Sequence, residues 1–250
     1  MTAELLLQAL EIPMEAKVGQ RIPKKMLVEN GAPTAADKRQ INDGIEELQW
    51  VAALKPSTVG VPVFKDTSRE YLEIAVLCLM LRDNAKTSRI TELIHRAIPY
   101  PVFLVRSQSN QASASLVHLR WSQGESERTV IDGAIVQVDL HPEHPAHANF
   151  ARSLRLADQP KTHLHALYQR WIEMFEAHAA AVLSGEFRPA PDAASAAQRR
   201  QALADHAKLT KEIETLRALT KKEKQMNRRV EANLRLKQLE EQLAKASARL

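Results

Sequence analysis

The sequence predicts an α+β chain: an N-terminal domain with a mixed sheet, then helices, then a C-terminal coiled-coil helix. Three observations carry this. Short apolar runs rich in β-branched residues and bounded by turn formers recur between residues 55 and 140, which suits strands. Stretches with apolar residues at helical spacing alternate with the first of them. From Ala194 to Leu250 neither Pro nor Gly occurs, and leucines fall at intervals of three, four and seven.

The elements follow in order. In "APTAADKRQINDGIEELQW", Thr34 is an N-cap with Asp37 three residues on, and Ile41, Ile45 and Leu48 share one helical face. "KPSTVGVPVF" and "YLEIAVLCLML" read as strands, the second central because it is apolar on both faces. Ser88 then precedes Ile90, Leu93, Ile94 and Ala97 at helical spacing. That helix must end near Ile98, because Pro99 cannot continue the hydrogen-bond ladder and disfavours helical geometry in the residue before it. "PVFLVRS", "ASLVHLRWS" and "RTVIDGAIVQVDL" are three further strands, and helix, strands, helix and then a meander make a mixed sheet. The expected organisation is an α+β domain over 1–145, a helical segment over 146–185 opening at Asp158 and Pro160, a linker over 186–195 and a basic coiled-coil helix over 196–250.

Composition narrows the function classes. Hydrophobic residues make up 44% of the chain, enough to bury a core. No run approaches the roughly 18 apolar residues that span a bilayer, and the N-terminus lacks the pattern of a secretory signal, so a soluble cytoplasmic protein is expected. Cys78, the one cysteine, sits in an apolar run and reads as core packing. The net charge is +5, and residues 201–250 hold 12 Lys and Arg against 7 Asp and Glu. All of the excess therefore belongs to the last fifth of the chain, and no globally basic nucleic-acid-binding domain is indicated.

The coiled-coil seam consists of Leu209, Ile213 and Leu216, then Leu236, Leu239 and Leu243. Between them, at "TKKEKQMNRR", the seam is lost. Arg217, Lys221, Lys222, Lys224, Arg228 and Arg229 stand there against the single acid Glu223, dense enough to contact phosphates. With no aromatic platform, a nucleic-acid contact would be to the backbone alone. A solvated face, a protein-docking face and a phosphate-binding face all remain open. So does the closure of the seam, within one chain as an antiparallel hairpin or between chains as a homo-oligomer.

Catalytic signatures are sparse. Asp66 and Glu73 loosely match the acidic pair of metal-dependent nucleases, but the triplet Glu73-Ile74-Ala75 lacks the lysine that would polarise the attacking water. The expected role of Glu73 is a structural partnership at the end of the sheet. His141, His144 and His147 sit on a proline-containing stretch where spacing alone guarantees no metal geometry, and His163 and His165 diverge if helical. No P-loop, dinucleotide fingerprint, Gly-x-Ser-x-Gly elbow or His-Glu-x-x-His occurs. No cofactor and no metal are expected.

The stretches "IPKKML", "LQWVAALKPSTVGV", "YLEIAVLCLML", "IHRAIPYPVFLV" and above all "KKEKQMNRRVEANLRLKQLEEQL" occur in an order and spacing that resemble the bacterial and archaeal domain of unknown function family 4391 along most of the chain. The chain departs at His95-Arg96, where that pattern has an acid-containing "IDKAIPY"-like segment. The resemblance brings no established activity. It implies companions: members look like partners of helicase-like ATPases and DNA methyltransferases in restriction or phage-defence gene neighbourhoods. The expected function is a non-enzymatic accessory protein that docks partners through its C-terminal seam, with a degenerate nuclease at Asp66 and Glu73 as the alternative.

Overall fold

A computed structural model describes residues 1–109, 111–124, 128–140 and 146–250, which divide into two compact units, Met1–Phe175 and Glu176–Leu250. The first is built on α1 (Ala3–Ala9), β1 (Lys17–Arg21), α2 (Lys24–Gly31), α3 (Ala35–Gly44), β2 (Ile45–Leu54), α4 (Pro56–Val59), β3 (Phe64–Lys65), β4 (Glu70–Tyr71), β5 (Ile74–Leu81), α5 (Thr87–Ala97), β6 (Val102–Gln108), β7 (Gln111–Trp121), β8 (Thr129–Leu140) and α6 (Ala146–Ser153). It also contains the start of α7 (Leu164–Ser184). Six strands form one sheet in the order β1-β2-β5-β6-β7-β8, and β3 pairs with β4 separately. Only the β5–β6 pair is parallel, joined by α5; the other neighbours are antiparallel, so the sheet is mixed and the fold is α+β.

Burial explains why "EIAVLCLML" is central. Ala75, Leu77, Leu79 and Leu81 face a core with Leu27 of α2, Ile41 of α3 and Ile90, Leu93 and Ile94 of α5. The neighbouring strand residue Phe103 instead meets the rings of Trp171 and Phe175 at 5.0 and 5.6 Å. On this second face Ile74 and Val76 of β5 are buried as well, Cys78 is half-buried and Met80 is 41% exposed, so the strand is covered on both faces over its first half.

The cap at Thr34 forms as expected: its Oγ1 accepts from the Asp37 amide at 3.1 Å and donates to the Asp37 carboxylate at 2.7 Å. Arg89 of α5 completes the site with two bonds to Asp37, at 2.7 and 2.9 Å, and holds its carboxyl down at about 2. Helix α5 ends at Ala97, with Ile98 extended before Pro99. Both results follow from residues within one turn of each other.

Three expectations are corrected. The helix after Thr34 stops at Gly44, and Ile45–Leu54 is strand β2. Its pairing with β5 is interrupted between Ile45 and Glu47, so Ile45 and Leu48 both point inward although three residues apart; a bulge imitates helical spacing. "KPSTVGVPVF" is not one strand: Pro56 opens the short α4, and only Phe64 and Lys65 pair, with β4. Helix α7 starts at Leu164, after a single 3-10 turn at Leu156–Asp158.

The two edge strands are irregular. Pairing of β1 slips between Lys17 and Gln20, around Gly19 at φ +65°. On β8, the step from Val136 to Asp132 spans four residues against two on β7, and includes Gly133 at φ +85°.

The second unit holds the end of α7, then α8 (Ala193–Lys222) and α9 (Met226–Ser247). Asp192 caps α8 by accepting from the Ser195 amide at 2.8 Å, and Arg200 grips the buried Glu176 through two bonds, at 2.6 and 3.3 Å. No helix among the described residues is long and apolar enough to cross a membrane.

Candidate partner-docking surface

The single helix read over 196–250 is a helical hairpin. The break at Glu223–Gln225 uses extended backbone at both ends, φ −71° and ψ 128° at Glu223 and φ −81° and ψ 122° at Gln225, a conformation open to any residue. The turn therefore needs neither Gly nor Pro, and the sequence carries no breaker to announce it. Glu223 stabilises it by accepting from the Gln225 amide at 2.8 Å; bonds to the Gln225 and Lys224 amides hold its carboxyl below the usual range.

Ion pairs show that α8 and α9 run antiparallel: Arg217–Glu240 at 2.6 Å, Arg235–Glu212 at 3.4 Å and Arg249–Asp205 at 3.4 Å. The six seam residues line the inside of this hairpin. Ile213 and Leu239 are buried, and Leu209, Leu216, Leu236 and Leu243 are half-buried. Of the two closures open to the sequence, the structure has the one within a single chain. Toward the tip of the hairpin lie apolar side chains that the seam does not cover. Leu219 on α8 and Met226, Val230 and Leu234 on α9 are 60%, 72%, 51% and 61% exposed.

The cations of the segment divide. Arg217 is committed to Glu240, and Arg228 approaches Glu223 at 3.9 Å. Lys221, Lys222, Lys224 and Arg229 are exposed, with no ion pair among the described residues. Lys221 and Lys222 end α8, Lys224 lies in the connection and Arg229 is in the first turn of α9.

In the first unit the acidic pair has separate employments. Asp66 lies between β3 and β4, where one carboxylate oxygen accepts from the Ser68 amide, the Ser68 hydroxyl and the Arg69 amide at 2.7, 2.8 and 2.7 Å. These bonds hold its carboxyl below the ordinary value. Glu73, just before β5, is buried with its carboxylate 3.3 Å from Lys55 Nζ at the end of β2. Among the described residues no three His, Cys, Asp or Glu gather as metal ligands. His141 and His144 lie outside the described residues; His147 is buried in α6.

An aromatic and imidazole nest was not legible beforehand. His163 precedes α7 rather than lying in it, and its Nδ1 accepts from the Ala166 amide at 3.0 Å. His163 and His165 therefore do not diverge: their rings lie 4.6 and 4.7 Å from Phe64, and His165 also stacks on His118 at 5.1 Å. The Gln169 amide donates to Glu173 at 3.2 Å, so its oxygen faces His118 and accepts from Nε2–H at 2.8 Å. His118 Nδ1 is then an acceptor for the Tyr71 hydroxyl. Burial pushes the Tyr71 phenol up, which keeps its hydroxyl protonated. A hollow of about 790 Å³ where β5 gives way to α5 is lined by Arg39, Asp43, Arg82, Asp83 and Lys86, a mixture of charges that selects no ligand class.

Two histidines are held neutral by burial. His95, whose Nε2 is 3.0 Å from the Ser115 hydroxyl, is pushed down to about 3. His165 is lowered to about 4, first by desolvation and then by His118 and Arg69. Because the folded values lie below the unfolded one, near 6.5, the unfolded chain takes up the protons first as pH falls. Stability is expected to be complete above about pH 6.5 and to decline below it, by up to about 1.4 kcal/mol per pH unit per histidine. Urea midpoints at pH 7 and 5 for the natural chain and His95→Leu check this; equal pH dependence in the two would remove His95 from the account.

The family model described as Domain of unknown function (DUF4391) matches residues 10–243 of the chain. No curated protein and no solved structure matches it.

Proposed function

We propose, for a chain that belongs to the domain of unknown function family 4391, a non-enzymatic accessory role in the cytoplasm. It works beside a helicase-like ATPase and a DNA methyltransferase in a restriction-like or phage-defence system, and its C-terminal hairpin is the docking element. The observation that carries the reading is the tip of that hairpin, where four large apolar side chains and four lysines and arginines stand exposed. Exposed apolar residues grouped in one place, beside one sign of charge, favour association over simple solvation. The partner names rest on the family resemblance alone.

The test is co-elution. The full chain mixed with the purified helicase-like ATPase or methyltransferase encoded beside it should give a complex by light scattering. Lys221→Glu with Lys222→Glu should weaken it at least tenfold. A chain that forms a complex with neither protein would not have this function.

A second reading, the metal-dependent nuclease, is favoured by one observation: Lys55, just past the end of β2, brings an ammonium group within 3.3 Å of Glu73, whose own triplet lacks a lysine. Under it, magnesium-dependent DNA cleavage should be present and lost in Glu73→Gln. Purified chain that cleaves nothing across several divalent metals removes it.

A further inference from the structure

We infer that α9 receives a second copy of this chain, with the outer face of α9 packed against the same face of α9 in the other copy. This goes beyond the docking role proposed above, and it leaves Leu219 and the lysines that end α8, which lie on the other helix, to a partner protein. Met226, Val230 and Leu234 are spaced four apart on α9, so they form a single row along its surface. The inward row of the same helix contains Ala232, Leu236 and Leu239, of which Leu239 is buried. Val230 is two residues, about 200°, from Ala232, so the outer row points away from α8. All three of its members are exposed. With the seam closed inside one chain, this row is the apolar surface that α9 has left to bury.

The charges beside the row decide which occupant fits. Arg229 and Glu231 adjoin Val230, and at about 100° per residue they stand on opposite margins of the row. Both are exposed, and neither is in an ion pair among the described residues. A surface of one sign, such as a DNA backbone or an anionic bilayer, would satisfy Arg229 and oppose Glu231. A second copy supplies both signs in the order required. A two-fold axis running alongside two parallel α9 helices, tips at the same end, sets each margin against the opposite margin of the other copy. Val230 then meets Val230, and Arg229 comes beside Glu231 of the second copy on both sides, as cations and anions flank the seam of a parallel coiled coil. Past Leu234 the row continues as Lys237 and Glu241, four apart, so a cation and an anion again come within reach of their opposites. Three apolar side chains from each copy make a small contact, and the dimer exchanges readily.

Sedimentation equilibrium of the full chain over a wide range of concentration should show monomer and dimer in equilibrium. Met226→Ser/Val230→Ser/Leu234→Ser should weaken the dimer at least tenfold, with circular dichroism showing the helices intact. Arg229→Glu alone and Glu231→Arg alone should each weaken it, because one margin then meets its own sign. The two single variants mixed, or both substitutions in one chain, should restore it. A chain that stays monomeric at every concentration would overturn the inference, as would a dimer that survives the serine variant or a pair of charge variants that mixing does not rescue. A monomer that instead takes up a DNA duplex, phosphatidylglycerol vesicles or the protein encoded beside it, and loses that binding in the serine variant, gives the row another occupant and overturns the inference as well.

Discussion

Tyr168→Phe is expected to lower the stability of the first unit by about 2–4 kcal/mol, more than the loss of one hydroxyl would suggest. The Tyr168 hydroxyl sits where two strands part. Pairing of β6 with β7 runs from Gln108↔Gln111 to Leu104↔Ser115 and stops; two residues further, Val102 would face Val117. There the phenol takes the place of the ladder. Its oxygen lies 2.8 Å from the Val102 carbonyl and 3.0 Å from the Val117 carbonyl, and accepts from the Val117 amide at 3.0 Å. All of this is buried, and burial also pushes the phenol well up, which keeps its proton available for donation. Removing the oxygen leaves an amide and a carbonyl without a partner away from water, each costing about 1–3 kcal/mol. Urea unfolding followed by tryptophan fluorescence measures the loss, since Trp50, Trp121 and Trp171 all lie in the first unit. A change below about 0.5 kcal/mol would mean that water reaches the gap and that the wedge is dispensable.

Gly31→Ala should cost about 1–3 kcal/mol by forcing two helices apart. A Cβ at this position would lie 2.6 Å from the Ala97 Cβ and 2.8 Å from the Leu93 carbonyl oxygen, and the second of these is backbone in the middle of α5. A side chain could swing aside, but α5 cannot, so α2 must retreat from the core that Leu27 fills. Ala97→Gly in the same chain removes the nearer obstacle and leaves the carbonyl. The double variant should recover only part of the loss in thermal unfolding. Full recovery would locate the whole clash in the methyl group of Ala97.

What could be read in advance followed from how local its cause was. The Thr34 cap and the end of α5 at Pro99 depend on neighbours in sequence, and both are found in place. The central position of β5 was legible because both of its faces carry apolar residues, with no polar alternation. Strand β2 was misread because a bulge put Ile45 and Leu48 on one side, and a bulge depends on the partner strand. A hairpin about the polar segment was one of two closures left open, and the turn at Glu223–Gln225 could not be fixed in advance because ordinary backbone angles bend the chain there, held by the pairing of α8 with α9. The nest of Phe64, Tyr71, His118 and His165 gathers residues from four separate stretches, which no spacing rule can collect. Asp66 and Glu73 stood out as carboxylates, and for Glu73 a structural partner at the end of the sheet was expected. Their employments, a turn and a lysine, became visible only with the backbone in place.

The irregular outer strands bear on how this protein avoids its own kind. A sheet edge with a straight run of unpaired amides and carbonyls invites a strand from another chain, the route to fibrils and swapped dimers. Gly19 and Gly133, both at positive φ, bend the backbone at the two edges, so neither offers a flat template. Strand addition is thereby discouraged at both margins.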